Sequence, residues 1–202
     1  MWIGTAAGVQ RLDPASGAFV GYTNDADGQP LSSIAVLYVA PDGVLWAGHR
    51  DDDTDAVEER AWLFTYDPGQ DAFQRVTAAN APSAEGDSGY LWDLSADAAG
   101  SLWAVVSYGS IYTWDGQAWQ QLTEENRAPR WAQFSAVAAA PGGGVWVGSP
   151  TYGLYRLDDE GWYQVPWDEG FGARAALDLL AARDGTLWVG LYGGLAHLLG
   201  EP

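Results

Sequence analysis

The sequence predicts an all-β fold made of a repeated unit, and three observations support this prediction. A short phrase with a central tryptophan occurs five times, a glycine-containing turn precedes four of the copies, and the copies are almost evenly spaced. The five tryptophans are Trp2, Trp46, Trp103, Trp146 and Trp188. Three of the intervals between them are 42 to 44 residues long and the second is 57. This length is typical of one four-stranded antiparallel blade of a β-propeller, and the longer interval carries an insertion.

Each predicted blade contains four strands in a fixed order. The inner strand is apolar and rich in small residues, and it covers 32–40, 90–96, 131–140 and 174–182. The second strand carries the tryptophan and follows a turn at 42–43, 99–100, 142–143 or 184–185, where glycine supplies the positive φ of a tight hairpin. The third strand covers 8–12, 62–66, 110–114, 153–157 and 194–198. The fourth follows an Asp-containing turn, at 18–22 and around Phe73, Trp119 and Trp162.

The first and last copies are incomplete in this pattern. The first lacks an inner strand and the last lacks a fourth strand, so about five blades with eighteen strands are predicted. We interpret residues 1–202 as a single β-propeller domain or a propeller fragment. Its repeats cover roughly 1–31, 32–88, 89–130, 131–172 and 173–202. The open strand edges leave two hypotheses, a piece of a longer protein or a homo-oligomer formed through these edges.

Composition excludes several classes of function. The chain has a net charge of −18, with 27 acidic residues against nine arginines and no lysine, so we expect no nucleic-acid partner. The hydrophobic fraction of 48% argues against disorder, and no apolar run is long enough to predict membrane insertion. The absence of cysteine excludes disulfides and thiolate chemistry. No export signal is recognised at the N-terminus, so the compartment is left open.

The repeat resembles that of the two-component regulator propeller family. In that family an Asp-Gly turn precedes a Leu-Trp-x-Gly strand and then a Gly-Leu strand, and residues 184–198 follow this order closely. Residues 141–158 follow it nearly as well. The resemblance implies a sensor-type propeller, which would be periplasmic or extracellular if the chain is part of a longer protein. The motif is a packing motif, so it implies no catalytic residues.

The loops at one end of the blades are the predicted binding surface. We expect the repeat tryptophans to pack between blades, whereas loops after the second and fourth strands meet on one face. This face is predicted to gather His49, Arg50, Tyr90, Trp92, Tyr108, Arg130, Trp131, Tyr152, Arg174 and Tyr192. Aromatic rings together with guanidinium groups suit a sugar or an organic anion. The alternative is that the rings fill the centre of the propeller and the arginines pair with nearby acids.

The insertion after the second tryptophan contains the densest run of charge. Asp51, Asp52, Asp53 and Asp55 are a candidate calcium site, because hard cations favour clustered carboxylate oxygens. The run lacks the central glycine and terminal glutamate of a calcium-binding loop, so a solvated acidic loop is the competing interpretation. No other cofactor is predicted.

Three classes of function remain from the sequence. The first is a non-catalytic propeller that binds a small molecule, a glycan or a protein. The second is a carbohydrate-active hydrolase or lyase that uses loop carboxylates. The third is a structural repeat segment that completes a ring by self-association. No catalytic residue is assigned, because neither histidine falls in a nucleophile motif.

Overall fold

A computed structural model describes most of the chain in ten ranges. These ranges are 1–50, 63–76, 91–97, 100–106, 109–114, 118–122, 132–140, 143–166, 175–182 and 184–198. They contain eighteen β-strands arranged in five sheets. No helix in these ranges has the length and apolar character needed to span a membrane.

The strands are arranged in chain order within each sheet. Sheet 1 contains β1 (Trp2–Thr5), β2 (Gly8–Leu12) and β3 (Phe19–Tyr22). Sheet 2 contains β4 (Ile34–Val39), β5 (Leu45–His49), β6 (Leu63–Asp67) and β7 (Ala72–Arg75). Sheet 3 contains β8 (Leu91–Ala96), β9 (Leu102–Val106), β10 (Ser110–Trp114) and β11 (Trp119–Leu122). Sheet 4 contains β12 (Ala136–Ala139), β13 (Val145–Ser149), β14 (Gly153–Asp158) and β15 (Gly161–Gln164). Sheet 5 contains β16 (Asp178–Ala181), β17 (Leu187–Leu191) and β18 (Gly194–Leu198).

The predicted all-β blade pattern is confirmed, including the incomplete first and last sheets. The inner strands are shorter than predicted, and β12 and β16 begin about four residues late. Before β16 and before β4 the backbone bonds to the preceding sheet. The N–H of Ala176 donates to the carbonyl of Ser149 in sheet 4 at 2.9 Å, and that of Ser33 donates to Ala6 in sheet 1 at 2.9 Å. In these two inner segments the first residues therefore join the strand to the preceding sheet.

The turn between the first two strands has one geometry in sheets 2 to 5. In sheet 2 the N–H of Gly43 donates to the carbonyl of Ala40 at 2.8 Å, and the N–H of Ala40 donates to that of Val44 at 2.9 Å. The same pair of bonds closes the turns at Gly100, Gly143 and Gly185. These glycines have φ between 85° and 102°. A three-residue turn that ends in a left-handed bulge residue requires such a φ, which explains the glycine in every copy.

The glycine of the Trp-x-Gly phrase allows the next sheet to approach closely. A Cβ atom at Gly4 would overlap the carbonyl of Ile34, and one at Gly148 would lie 2.8 Å from the carbonyl oxygen of Ala176. A Cβ at Gly48 would overlap the side chain of Leu91. Each neighbour is at the start of the following inner segment. The motif glycine is thus a contact point between successive sheets.

The chain divides into two compact units, Met1–Trp92 and Asp93–Pro202. The core of the first unit is formed by sheets 1 and 2 and includes Val9, Leu31, Ile34, Leu45, Ala47, Phe64 and Phe73. A core cluster of the second unit joins sheets 4 and 5 and includes Ala136, Ala138, Trp146, Leu154, Leu179, Leu187 and Val189. Whether residues 1–202 form a single domain stays a prediction.

The repeat tryptophans differ in burial. Trp46 and Trp146 are buried, as expected of side chains between blades. Trp2 is half-buried and packs edge-on against Tyr66, with ring centroids 4.6 Å apart. Trp188 is 37% exposed, and its ring stacks on that of His197 with centroids 4.3 Å apart.

Two side chains of β8 bind the edge of the next inner strand. The Asp93 Oδ2 atom accepts the N–H of Val137 at 2.8 Å, and the Ser95 Oγ atom accepts the N–H of Ala139 at 3.0 Å. These N–H groups belong to β12, whose other edge pairs with β13. The side chains of sheet 3 therefore satisfy backbone donors that the sheet ladder leaves unpaired.

Candidate ligand-binding site

An arginine stacked on a tryptophan is the clearest candidate site among the described residues. Arg50 follows β5 directly, and Trp92 is the second residue of β8. The guanidinium carbon Cζ lies 4.0 Å from the centre of the Trp92 ring. Arg50 is exposed and Trp92 is half-buried, so the pair forms part of the surface of the first unit.

The backbone around Arg50 is held by bonds between successive loops. The N–H of Arg50 donates to the carbonyl of Ser33 at 2.9 Å, and the N–H of Ser33 donates to the carbonyl of Ala6 at 2.9 Å. Ser33 has a φ of 49°, a left-handed conformation that is uncommon for residues other than glycine. Loops after β1 and β5 and the segment before β4 are therefore joined at this point. The position from which the guanidinium extends is fixed.

His49 supports this loop from inside the protein. Its side chain is buried, and its Nδ1 atom donates to the carbonyl oxygen of Ser32 at 2.6 Å. The predicted binding face included His49, but the structure places its ring where it holds the segment before β4. We therefore build no ligand contact on it.

Arg50 has an unusual electrostatic setting for this acidic chain. The other arginines of the described ranges pair with carboxylates, Arg11 with Asp71 at 3.1 Å, Arg75 with Asp25 at 3.3 Å and Arg156 with Asp158 at 3.3 Å. In the same part of the chain, no carboxylate lies within ion-pair distance of Arg50. A stacked guanidinium keeps its N–H donors in the plane of the group, where a carboxylate can accept two of them.

Two further residues of the predicted face are described, and both are in the second unit. Tyr152 is exposed in the β13–β14 turn, where the buried Ser149 Oγ atom accepts the N–H groups of Thr151 at 3.3 Å and Tyr152 at 3.0 Å. Tyr192 is exposed in the β17–β18 turn. Both side chains could meet a ligand. The structure brings together only His49, Arg50 and Trp92 of the predicted set that it describes.

The remaining predicted residues lie outside the described ranges. They are Tyr90, Tyr108, Arg130, Trp131 and Arg174 of the binding face and Asp51, Asp52, Asp53 and Asp55 of the calcium hypothesis. Their roles stay predictions. Among the described residues, no group of three histidine or acidic side chains could hold a metal ion.

A second polar cluster was not predicted from the sequence. The Oδ1 atom of Asp71 accepts hydrogen bonds from the hydroxyls of Tyr22, at 2.7 Å, and Tyr66, and from Arg11 at 3.1 Å. Hydrogen bonds from Tyr66 and Tyr22 lower the pKa of Asp71. The pKa of Tyr22 is raised, mainly by desolvation and then by its hydrogen bond to Asp71. The cluster joins sheet 1 to sheet 2.

A cavity of about 550 Å³ lies beside this cluster. Its walls are mainly apolar and include Trp2, Leu12 and Val20, with Arg11 at one side. The guanidinium of Arg11 already bonds Asp71 and Tyr66, so it is less suited than Arg50 to orient a ligand. The sequence gives no signal for the cluster, because its members are up to 60 residues apart.

Known structures with this fold match nearly the whole chain. The extracellular domain of BT4673 of B. thetaiotaomicron, which is assigned to a hybrid two-component system, has a TM-score of 0.72 and 21% identity over 98% of this chain and 27% of its own. The corresponding domain of BT3049 has a TM-score of 0.69 and 16% identity over 100% of this chain and 25% of its own. The gluconolactonase XC5397 of Xanthomonas campestris has a TM-score of 0.64 and 15% identity over 95% of this chain and 65% of its own.

These matches concern the fold, because every identity is low. No family model matches the sequence, and no curated protein matches it. The chain spans about a quarter of the length of the two sensor domains. The similarity to sensor propellers inferred from the repeat is confirmed at the level of the fold, since the five sheets of this chain match part of the extracellular domains of these two-component systems.

Proposed function

We propose that this chain is a non-catalytic ligand-binding propeller whose ligand is a small organic anion, such as a carboxylated sugar, held at Arg50 and Trp92. One observation carries the proposal. Arg50 is an exposed guanidinium, stacked 4.0 Å above an indole, with no acidic partner in the described ranges. The other three described arginines bond to carboxylates of the chain itself.

The charge of the protein restricts the ligand further. The net charge of −18 repels polyanions. A ligand with a single carboxylate that binds one guanidinium is therefore favoured over a nucleic acid or a highly sulfated glycan. The carboxylate accepts two N–H bonds from Arg50, and the ring or hydroxyl edge of the ligand lies beside the indole of Trp92. The architecture shared with extracellular sensor domains supports a sensing role in which ligand binding is the input.

Calorimetry with matched sugars tests this proposal. Glucuronate should bind the intact chain and glucose should bind much more weakly, because only the first has a carboxylate. Substitution of Arg50 by glutamine should weaken glucuronate binding by roughly tenfold to a hundredfold, the usual value of a hydrogen-bonded charge. Arg50→Lys should recover part of the loss, since lysine keeps the charge but not the planar donor pair.

An exposed residue at the other end of β4 provides the control for these variants. Val39→Ala shortens a side chain that pairs across the sheet with Leu45, whereas Arg50 bonds to the segment before β4, so this variant should leave glucuronate binding unchanged. Binding should also weaken as salt is added, because the contact is an exposed ion pair. Equal affinity of the intact chain and Arg50→Gln for every organic acid in a panel would exclude this site.

The hydrolase or lyase alternative has fold-level support from the gluconolactonase match. The described carboxyl with a raised pKa is Asp93, a property that general acids often share. Both oxygens of Asp93 accept backbone N–H groups, from Leu94 and from Val137, which favours a structural role. Turnover of sugar lactones or glycosides above that of heat-inactivated protein would replace the binding proposal with this one.

A further inference from the structure

Sheet 4, within the second compact unit, carries three aromatic rings in mutual contact. The ring of Phe134 lies 5.5 Å from that of Tyr155 and 5.6 Å from that of Trp162, measured between centroids. Leu154, which precedes Tyr155, belongs to the core cluster shared with sheet 5, so Tyr155 lies on the other face of sheet 4. Tyr155 is 8% exposed. The surrounding rings therefore fix the position of its hydroxyl.

The hydroxyl of Tyr155 forms no hydrogen bond with any residue that the structure describes. Desolvation and then the neighbouring Tyr152 raise its pKa, and no hydrogen bond contributes to this shift. Tyr22 is buried to the same extent, yet its hydroxyl donates to Asp71 at 2.7 Å. A buried tyrosine usually has such a partner. The Tyr155 hydroxyl is protonated at neutral pH and is therefore available to donate to a molecule outside the chain.

Two exposed residues lie beside this hydroxyl. Tyr152 is 41% exposed in the β13–β14 turn. Gln164 of β15 is exposed and pairs with Tyr155 across the ladder, and its Nε2 atom donates to the carbonyl of Tyr152 at 2.8 Å. This bond orients the side-chain amide of Gln164 and leaves its Oε1 atom as an acceptor. A donor and an acceptor are thus placed side by side next to an exposed aromatic ring.

This pair of groups favours a neutral secondary amide as ligand. An amide has a carbonyl oxygen to accept from Tyr155 and an N–H to donate to Gln164, whereas a carboxylate has acceptors only. The net charge of −18 also disfavours a carboxylate. Arg156 does not compensate for this charge here, because it stacks on Trp146 on the opposite face and bonds to Asp158 at 3.3 Å.

We propose that Tyr155, Gln164 and Tyr152 form a second binding site, which takes the acetamido group of a neutral N-acetylated sugar. The carbonyl of the ligand accepts from Tyr155, its N–H donates to Gln164, and the sugar ring lies on the exposed ring of Tyr152. A peptide presents many amides along its length, whereas this site has one donor–acceptor pair beside one ring. The site does not include Arg50 or Trp92, so it does not depend on the function proposed above.

Calorimetry with N-acetylglucosamine and glucose tests the site. N-acetylglucosamine should bind the intact chain roughly tenfold or more tightly than glucose, because glucose lacks the amide and leaves both polar groups without a partner. Arg50→Gln should bind N-acetylglucosamine as the intact chain does. Failure of the organic-anion site would therefore leave this result unchanged, and failure of this site would leave glucuronate binding unchanged.

Two matched variants identify the groups involved. Tyr155→Phe keeps the ring and should weaken N-acetylglucosamine binding by roughly tenfold. Its urea midpoint should equal that of the intact chain, because the hydroxyl has no described partner to lose. Tyr163→Phe is the control, since Tyr163 is 42% exposed and lies on the opposite face of β15 from Gln164. This variant should bind N-acetylglucosamine with unchanged affinity.

Four results would overturn the proposal. The first is an intact chain that does not bind N-acetylglucosamine, and the second is equal affinity for N-acetylglucosamine and glucose. The third is a folded Tyr155→Phe variant that binds N-acetylglucosamine as the intact chain does. The fourth is tighter binding of N-acetylalanine methylamide than of N-acetylglucosamine, because the site would then recognise a peptide.

Discussion

Substitution of Asp93 by asparagine should change how stability depends on pH. Asp93 is half-buried at the joint between β8 and β12, where its two oxygens accept the N–H groups of Leu94 and Val137, both at 2.8 Å. Desolvation raises the pKa of this carboxyl to about 7, against the lowering effect of the two hydrogen bonds, and the charge of Asp178 raises it further. Asparagine keeps the shape and cannot titrate.

The sign follows from the protons that each state binds. The unfolded carboxyl titrates near its ordinary pKa of 3.8, and the folded one near 7. The folded state therefore binds more protons between these values, so its stability is fully present below the lower pKa and is lost as pH rises to about 7. The difference between the two pKa values corresponds to at most about 4 kcal/mol. Partial solvent exposure of Asp93 reduces this figure.

Urea unfolding followed by tryptophan fluorescence measures the effect. The range from pH 5 to pH 8 avoids the acidic region where 27 carboxyl groups lose their charge and the chain becomes poorly soluble. Over this range the intact chain should lose about 1 to 3 kcal/mol of stability relative to Asp93→Asn. The NH2 group of asparagine faces one of the two backbone N–H donors and cannot accept its hydrogen bond. This lowers the free energy of unfolding by about 1 to 3 kcal/mol at every pH.

An exposed aspartate serves as the control. Hydrogen bonds from Ser16 and Ala15 lower the pKa of Asp13, so its titration in the folded state lies below this pH range. Asp13→Asn should shift the stability curve by a constant amount between pH 5 and pH 8. If the free energy of unfolding of Asp93→Asn also differs from that of the intact chain by a constant amount over this range, the raised pKa of Asp93 is refuted.

Two further predictions concern packing at the turns and between sheets. Gly148→Ala should destabilise the chain by about 1 to 3 kcal/mol more than Gly190→Ala, because a Cβ at Gly148 meets the Ala176 carbonyl, whereas one at Gly190 meets only Asp178 of its own sheet. Equal urea midpoints would contradict the close approach. Ser149→Ala should cost about 1 to 3 kcal/mol in urea unfolding, because two N–H groups lose their buried acceptor. Thr5→Ala removes a more exposed hydroxyl that accepts the N–H of Ala7, so it should lower the free energy of unfolding by less than Ser149→Ala does. A larger loss for Thr5→Ala would contradict the role of burial at Ser149.

The strands and hairpin turns could be predicted because their signals are local. Gly43 and its counterparts occupy a backbone conformation that other residues avoid, so the sequence marks each turn within four residues. The starts of the inner strands were placed too early, because Ala176 and Ser33 form bonds to a preceding sheet that no local pattern reveals. Strand identity follows from nearby residues, whereas strand ends depend on the packing of whole sheets.

The candidate site was predictable only in part for the same reason. Arg50 and Trp92 could be grouped because the repeat places the loop after one second strand beside the start of the next inner strand. The burial of His49 depends on the carbonyl of Ser32, 17 residues earlier, and a backbone acceptor leaves no mark in the sequence. The Asp71 cluster was harder to predict from the sequence. Its aspartate occupies, with a φ of 51°, the turn position at which sheet 1 has Gly17, so the turn pattern alone predicts a glycine there.

The Trp-x-Gly phrase has one physical role where its contacts are described. Gly4 and Gly148 each make room for the start of a following inner segment, because a Cβ atom at either position would meet a backbone carbonyl of that segment. Trp146, two residues before Gly148, is buried in the apolar cluster that joins sheets 4 and 5. The glycine therefore sets how closely the next segment approaches, and the tryptophan fills the interface that this approach creates.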